Sequence, residues 1–569
     1  VQAGRRRRVG DQAIVREIGC PEGSWASFGP NGACRHPFFA LSDRSPLDIE
    51  AFLSGPRAVR RRAERDSNVP EALHKLHPIN EAAAGISGMS IYVPSLRVGL
   101  ERWCDWTGNQ WEKVQKVVGQ SFRVPAPFEN VYTMAAGAVL RLILDYEIDP
   151  TQVGWLGLGT ESSTDNAAGA VIVRGMVDRA LVQLGLPRLP RSLEVPEFKH
   201  ACLGGVYALK NALRYVSCDG EEKLAIVVAA DVAEYERGSS GEQTQGAGAV
   251  AMLIQRRPTM LAIDLSRAGS ASDYRGPDFR KPFARHFSDV YAAHTKRISD
   301  FPVFSGRYST HAYLDETAAA VEAMLERINV SAGTYYQSVR ALFFHRPYHH
   351  MPIAAMSFLY VRGLARSDHH LSELTDLANE AAVSVSDIVR ERASQPDLFN
   401  RVLEGNAEVD PYPATAAAAA VLRKRPAFAR LLASKMSLGD ELVRDLGNLY
   451  SAALPAWMAA GFDRAARDGV DLNGASLVMV GYGSGDAAEA IPMLAVPGWE
   501  QAASRIRFER ALGGAIELDQ AQYEALHDGA PIPNLDLTPK NQFAILRVGE
   551  TYGAGFQDLG VEYYGYVTA

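Results

Sequence analysis

Cysteine is scarce in this chain of 569 residues, and the five present (Cys20, Cys34, Cys104, Cys202 and Cys218) are odd in number and widely spread. That argues against a disulfide framework and for a reducing compartment, the cytoplasm. Uninterrupted apolar runs of about 18 residues are absent, so no membrane-spanning helix is expected. Neither sign of charge dominates: 59 Lys and Arg stand against 66 Asp and Glu, a formal net charge of −7. No global footprint for nucleic acid or an anionic membrane follows, although a local anion site stays compatible with that balance. What is present is ordinary: 47% hydrophobic and 22% charged residues, with 49 Gly and 30 Pro. Disordered, collagen-like and coiled-coil readings fall away on that composition. The length allows about three to four ordinary domains or fewer large ones, and the chain reads as a soluble protein of enzyme size.

The first 85 residues differ in texture from the rest. They carry two arginine clusters, Arg5–Arg8 and Arg60–Arg62, with acidic residues interspersed. No apolar segment follows the first cluster, which argues against a secretory signal, and Asp11 and Glu17 argue against an organelle transit peptide. Residues 1–85 therefore read as an N-terminal extension, solvated or docking a partner. Cys20, Cys34 and His36 within it are too few ligands for a zinc site.

From Gly85 onward strands and helices alternate. Gly88–Pro94 and Val153–Gly159 read as short strands, and apolar residues at helical spacing predict a helix over Glu129–Tyr146. Val206, Leu209, Leu213 and Val216 recur at i, i+3, i+7 and i+10, marking an amphipathic helix that begins just after Cys202. Leu224–Ala230 is nearly all apolar, as a strand buried on both faces is. The second half repeats this texture, with strands expected over Val339–Phe344 and Ala475–Val480. Between them, over about 365–440, strong helix formers dominate, including Ala416–Ala420, and an inserted helical subdomain is expected. Strands alternating with helices in two successive halves imply a layered α/β architecture.

Open α/β sheets place their ligand sites beyond the carboxyl ends of strands, and four places there carry chemistry. Cys202 precedes the amphipathic helix, where the macrodipole favours thiolate over thiol, and Gly204 and Gly205 permit close approach of a substrate. A packed, inert cysteine is the competing reading. Glu161 follows the strand Val153–Gly159, where desolvation would raise its pKa and suit it to act as a general base; a cap or a solvated carboxylate is the alternative. His345 ends an apolar strand and is a natural proton donor or polariser. His345, His349 and His350 also raise a metal reading, but no carboxylate lies in that stretch, and no metal is expected. Gly481-Tyr-Gly-Ser-Gly485 is not a dinucleotide fingerprint, because Asp486 occupies the place of the last required glycine. Its backbone N–H groups suit a loop that faces a developing negative charge.

Taken in order, these segments resemble the 3-hydroxy-3-methylglutaryl-CoA (HMG-CoA) synthase family. The matching stretches are Gly159-Thr-Glu161, Ala201-Cys-Leu-Gly-Gly205, Gly246–Met252, Phe344-His-Arg-Pro-Tyr348, Gly447-Asn-Leu-Tyr450 and Tyr482-Gly-Ser-Gly485. Asp278-Phe-Arg-Lys-Pro282 and Gly306–Tyr313 add to them, and together they cover about three-quarters of the chain. The resemblance implies a thiolase-like five-layered αβαβα fold of two related halves, 86–260 and 261–569, the second holding the 365–440 insertion. It also implies a homodimer. Cys202 would take an acetyl group from acetyl-CoA as a thioester, and Glu161 would remove a proton from the acetyl methyl. His345 would hold the ketone of acetoacetyl-CoA, and the backbone N–H groups of Cys202 and Ser484, with Gly483 before it, would bind the thioester oxyanion. Asn448, followed by Tyr450, would orient the second substrate. No cofactor is implied, only CoA thioesters as substrates, and hydrolysis releases HMG-CoA, the intermediate of the mevalonate route to isoprenoids.

Three residues depart from the family pattern. His200 stands where Asn or Glu is frequent, Leu203 replaces a frequent Tyr, and His350 replaces a common Lys. These substitutions, the extension and the long interval between His345 and Asn448 keep alternatives open. One is a β-branching synthase acting on β-ketoacyl chains bound to an acyl-carrier protein. Another is a decarboxylative condensing enzyme like ketosynthase III, which does not need Glu161. A third is a non-catalytic subunit of an acyl-CoA channelling complex with acetoacetyl-CoA thiolase.

Overall fold

The apolar run Leu224–Ala233 forms a strand whose residues alternate between two cores. Ala225, Val227 and Ala229 enter one core, and Ile226, Val228 and Ala230 the other. Both faces are thus covered, and Leu224–Ala230 carries apolar side chains throughout. This computed structural model describes residues 83–163, 165–220, 222–281, 301–366 and 370–568. The arginine clusters of the extension, Cys20, Cys34 and His36 lie outside those residues.

Twelve strands frame the body. They are β1 (Ala84–Tyr92), β2 (Leu96–Gly99), β3 (Ser121–Val124), β4 (Val153–Gly159), β5 (Glu197–Phe198) and β6 (Leu224–Ala233). In the same order follow β7 (Gly246–Arg256), β8 (Leu261–Ile263), β9 (Gly269–Ser272), β10 (Ala341–Phe344), β11 (Ser476–Gly483) and β12 (Ala487–Ala495). The large sheet runs β10-β11-β12-β8-β1-β7-β6-β4-β5, with β9 added on β12. One pairing pattern occurs twice. In the first half β4 is parallel to β6, β6 antiparallel to β7 and β7 antiparallel to β1. In the second, β10 is parallel to β11, β11 antiparallel to β12 and β12 antiparallel to β8. The halves meet where β1 pairs with β8.

The helices repeat in step with the strands. The first half reads helix Val131–Asp145, β4, helix Gly169–Gln183, helix Gly204–Ser217, β6, β7. The second reads helix Arg307–Ile328, β10, helix His350–Leu364, helix Ala453–Asp468, β11, β12. Helices Val131–Asp145 and Gly169–Gln183 cover one face of the first half, and Arg307–Ile328 packs on β9, β11 and β12 of the second. Gly204–Ser217 lies between the two halves: it packs on β4, β6 and β7, while Gly481 of β11 meets Leu203 and Val206. Ala453–Asp468 shares that middle layer, touching β7, β10 and β11. The result is helix, sheet, helix, sheet, helix, the five-layered thiolase-like arrangement.

Local chemistry sets several boundaries. Helix Val131–Asp145 starts where Asn130 accepts from the backbone N–H groups of Tyr132 and Thr133, and Thr133 caps the Asn130 N–H in return. The stretch 365–440 holds helices Leu371–Glu380, Val385–Ala393, Leu398–Leu403, Pro413–Leu422 and Pro426–Lys435. Among the described residues no helix is long and apolar enough to cross a membrane.

The middle layer generates a stability test. Phe462 is fully buried, 6.5 Å from the Phe343 ring and 5.5 Å from that of Trp499. Phe462→Ala is expected to cost about 3–5 kcal/mol, read as a lowered urea midpoint with an unchanged far-UV spectrum.

Candidate active site

The duplication places four chemistry-bearing residues at two pairs of equivalent positions. Glu161 follows β4, and His345 follows β10 directly. Cys202 precedes the middle helix Gly204–Ser217, and Asn448 precedes its counterpart Ala453–Asp468. Strand ends and helix starts from both halves therefore converge on one centre.

Cys202 is 8% exposed, and its Sγ lies 3.7 Å from Glu161 Oε2. Ala201 before it takes φ +41°, in the left-handed region, a cost of about 1–3 kcal/mol for a non-glycine residue. Tyr235, Tyr450 and Phe279 pack around the thiol. Here the structure overturns one expectation drawn from the helix macrodipole. Burial, followed by the charges of Glu161 and Asp231, pushes the thiol well above its usual pKa, so Cys202 rests as a thiol. Glu161 moves the same way: withdrawal from water, then Asp231, push its carboxyl up to about 8, against the pull of Lys281.

Asp231 is the residue that holds Glu161 in place. It is fully buried within β6, the one charged group in an otherwise apolar strand. Its Oδ1 accepts from Glu161 N (2.7 Å), Ser162 N (2.9 Å), Ser162 Oγ (2.7 Å) and Thr160 Oγ1 (3.0 Å). Its Oδ2 accepts from Ser451 N at 2.9 Å and from the Ser451 hydroxyl. Because Ser451 belongs to the second half, one carboxylate pins the β4 exit, β6 and the entrance to the second middle helix.

A cavity of about 250 Å3 opens on Cys202 and is lined also by His345, Asn448, Ser484 and the apolar side chains of Phe279, Phe304 and Met351. His345 is 2% exposed, and neither ring nitrogen has a hydrogen-bond partner among the described residues. Burial holds its pKa down to about 3, so it presents a neutral imidazole. Its ring stacks on Tyr482 at 6.3 Å, 26° from parallel. Unpaired polar atoms in a buried pocket are costly unless a ligand satisfies them. His349 is placed elsewhere, with Nδ1 3.4 Å from Asp440 and 3.2 Å from Arg346. No cluster of three or more metal-ligating side chains occurs among the described residues.

Of the remaining expected positions, Ser484 and Asn448 lie on the cavity, whereas Gly483 and Tyr450 do not line it. Gly483 is the residue that lets the second half approach Cys202. A Cβ there would sit 2.6 Å from His200 O and 2.8 Å from Leu203 N. Asn448 Oδ1 accepts from Tyr450 N at 2.9 Å, which shapes the turn before the second middle helix. Tyr450 turns its ring edge-to-face on Tyr235 at 6.3 Å and lines a larger groove of about 1040 Å3 on the Ser162 side.

Comparison with known proteins follows from this geometry. A family profile described as hydroxymethylglutaryl-coenzyme A synthase N terminal matches residues 80–258. Hydroxymethylglutaryl-CoA synthase of Haloferax volcanii is 25% identical over 451 residues, 78% of this chain and 91% of that protein. The enzyme of that name from Enterococcus faecalis is 29% identical over 265 residues, 46% of this chain and 61% of its own. The chain is similar to hydroxymethylglutaryl-CoA synthases along most of its length. Solved structures agree on the fold. MvaS in complex with 3-hydroxy-3-methylglutaryl coenzyme A superposes with a TM-score of 0.65 at 22% identity, covering 85% of this chain and all but 1% of that one (99%). The curacin-pathway HMG synthase in complex with holo donor-ACP gives 0.60 at 18% identity, covering 85% of this chain and 100% of that one.

The residues by which this chain departs from the pattern it resembles have clear places. Leu203 fills the space against Gly481 and Gly483, His200 packs edge-on to Tyr207 at 5.5 Å, and His350 starts helix His350–Leu364. Sequence reasoning missed Asp231, although a lone Asp inside Leu224–Ala233 was a visible signal. The resting thiol generates a pH test. Alkylation of Cys202 by iodoacetamide, read on its peptide by mass spectrometry, is expected to climb about tenfold per pH unit from 7 to 9. A plateau below pH 8 would mean a preformed thiolate.

Proposed function

We propose that this protein condenses acetyl-CoA with acetoacetyl-CoA and hydrolyses the adduct to HMG-CoA and CoA. The observation that carries this reading is the 3.7 Å contact of Cys202 Sγ with Glu161 Oε2, at a cavity that also presents His345 with both nitrogens unpaired. Each step has a residue suited to it. Cys202 Sγ bonds to the acetyl carbonyl carbon, the bond from that carbon to the CoA sulfur breaks, and the thiol proton leaves on CoA. Glu161 as carboxylate then takes a proton from the acetyl methyl. The resulting enolate oxygen faces the backbone N–H groups of Cys202 and Ser484.

The enolate carbon bonds to the ketone carbon of acetoacetyl-CoA, whose oxygen accepts a hydrogen bond from neutral His345. The alkoxide formed takes up the proton held by Glu161, which restores the carboxylate. Water cleaves the Cys202 thioester and leaves a carboxylic acid and a free thiol. Asn448 orients the acceptor from the second middle-helix start. The reaction needs no cofactor in this scheme. The scheme places the enzyme in the cytoplasm, where its few cysteines stay reduced. The same proposal takes the enzyme as a homodimer, and strand β5, which ends the large sheet among the described residues, supports that reading.

A raised Glu161 pKa fixes the sign of the pH dependence. The base form grows as pH rises through about 8. Single-turnover condensation by acetylated enzyme should therefore rise about tenfold per unit from pH 6 and level above about 8. Glu161→Ala is expected to accumulate acetyl-Cys202 from labelled acetyl-CoA while HMG-CoA formation falls about 10²- to 10⁴-fold. Loss of acetylation in that variant would contradict the assignment. Condensation from malonyl donors with release of carbon dioxide would move the protein to the decarboxylative class.

A further inference from the structure

The turn that carries Ser484 is tied to a buried ion cluster that the scheme above leaves unused. Arg275 is 1% exposed and stands among four carboxylates. Its Nε is 3.3 Å from Asp486, Nη2 is 2.6 Å from Asp315 and 2.5 Å from Glu316, and Nη1 is 3.2 Å from Asp273. The Tyr308 hydroxyl donates to Arg275 O at 2.7 Å, which holds the backbone as well. Asp486 and Asp273 exchange backbone hydrogen bonds at 3.1 and 3.3 Å. The Tyr482 hydroxyl reaches Asp278 Oδ2 at 3.2 Å and Asp486 Oδ2 at 3.3 Å, and its ring is the one stacked on His345.

We infer that Arg275, acting through Asp486, is a positioning residue for acyl transfer: it fixes the Ser484 turn against Cys202 and, through Tyr482, the ring plane of His345. This rests on Cys202 accepting the acetyl group and on the Ser484 N–H facing the oxyanion. A turn flanked by Gly483 and Gly485 has no side-chain stiffness of its own. Oxyanion donors help only when held in advance where the charge develops, and a displacement near 1 Å can cost about a hundredfold in rate. Gly483 is locked on the Cys202 side by its contact with His200 and Leu203. The Arg275–Asp486 pair supplies the anchor on the other side.

The make-up of the cluster suits an anchor better than a stabilising core. One guanidinium faces buried Glu316 and Asp486, part-buried Asp315 and exposed Asp273, with Asp278 beside them, so acidic groups outnumber the single cation. Burial and the neighbouring carboxylates push Asp486 up to about 9. Apolar side chains of similar volume would be no less stable there. The inserted helices close over the same cluster: the Tyr412 hydroxyl donates to Asp315, and Phe399 packs on Tyr274 at 4.7 Å.

Two reactions of one sulfur separate positioning from packing. Acetylation of Cys202 by acetyl-CoA passes through an oxyanion, whereas its alkylation by iodoacetamide does not. In Arg275→Lys and Asp486→Ala, acetylation is expected to fall about 10- to 100-fold, with alkylation of Cys202 within about twofold of wild type and KM for acetyl-CoA little changed. Tyr482→Phe keeps the ring and loses the hydroxyl, so it serves if a charge variant does not fold. Its acetylation is expected to fall about tenfold, again at constant alkylation. Acetylation equal to wild type in every folded variant, or acetylation and alkylation falling together, overturns the positioning role alone. A wild-type enzyme that takes no acetyl group on Cys202 overturns the functional reading with it.

Discussion

A single carboxylate, Asp231, holds the site together. Removing it from water costs several kcal/mol, and only charge-assisted hydrogen bonds of about 1.5–3 kcal/mol each can offset that. Asp231 receives six, from Thr160, Glu161, Ser162 and Ser451. These donors come from the exit of β4 and from the start of the second middle helix. The carboxylate thus joins the halves beside Glu161 and Cys202. It also acts at a distance, because its charge helps keep the Glu161 carboxyl and the Cys202 thiol protonated at rest.

From that constraint the electrostatics of the centre follow. Cys202 and Glu161 are mutually neutral in the resting state, and His345 is neutral because it is buried. In the proposed reaction these three groups, none formally charged at rest, meet an apolar acyl group, and charge develops only as bonds change. In that proposal the backbone N–H groups of Ser484 and Cys202 meet the charge without reorganising. Gly483 makes the geometry possible by letting strand β11 touch the nucleophile turn.

Much of this was legible in the sequence, for identifiable reasons. The nearly all-apolar run Leu224–Ala230 and the helical spacing after Cys202 are local signals, and both elements form there. Cys202, Glu161 and His345 stood out because each lies at a strand exit or helix start, where open α/β folds put chemistry. Boundaries shifted where pairing decides them: β1 starts at Ala84, ahead of Gly88, because it pairs with both β7 and β8. Gly481–Gly483 are strand residues rather than loop, since they pair with Ala487–Glu489 of β12. The thiolate expectation failed because a helix end offers about half a charge, which withdrawal of the sulfur from water, and then the neighbouring acidic groups, outweigh. Arg275 and its partners were not legible at all, because Asp273, Asp315, Glu316 and Asp486 are brought together only by tertiary folding.

The central claim is that Glu161, poised by Asp231, acts on the methyl group of an acetyl held by Cys202. Hydrogen exchange at that methyl tests it without the second substrate. Acetyl-CoA incubated with the enzyme in deuterium oxide, then recovered and weighed by mass spectrometry, should carry deuterium in its acetyl group. The same incubation with Glu161→Gln, which retains acetylation of Cys202, should leave the methyl unlabelled. Equal deuterium uptake by the two proteins would contradict the account.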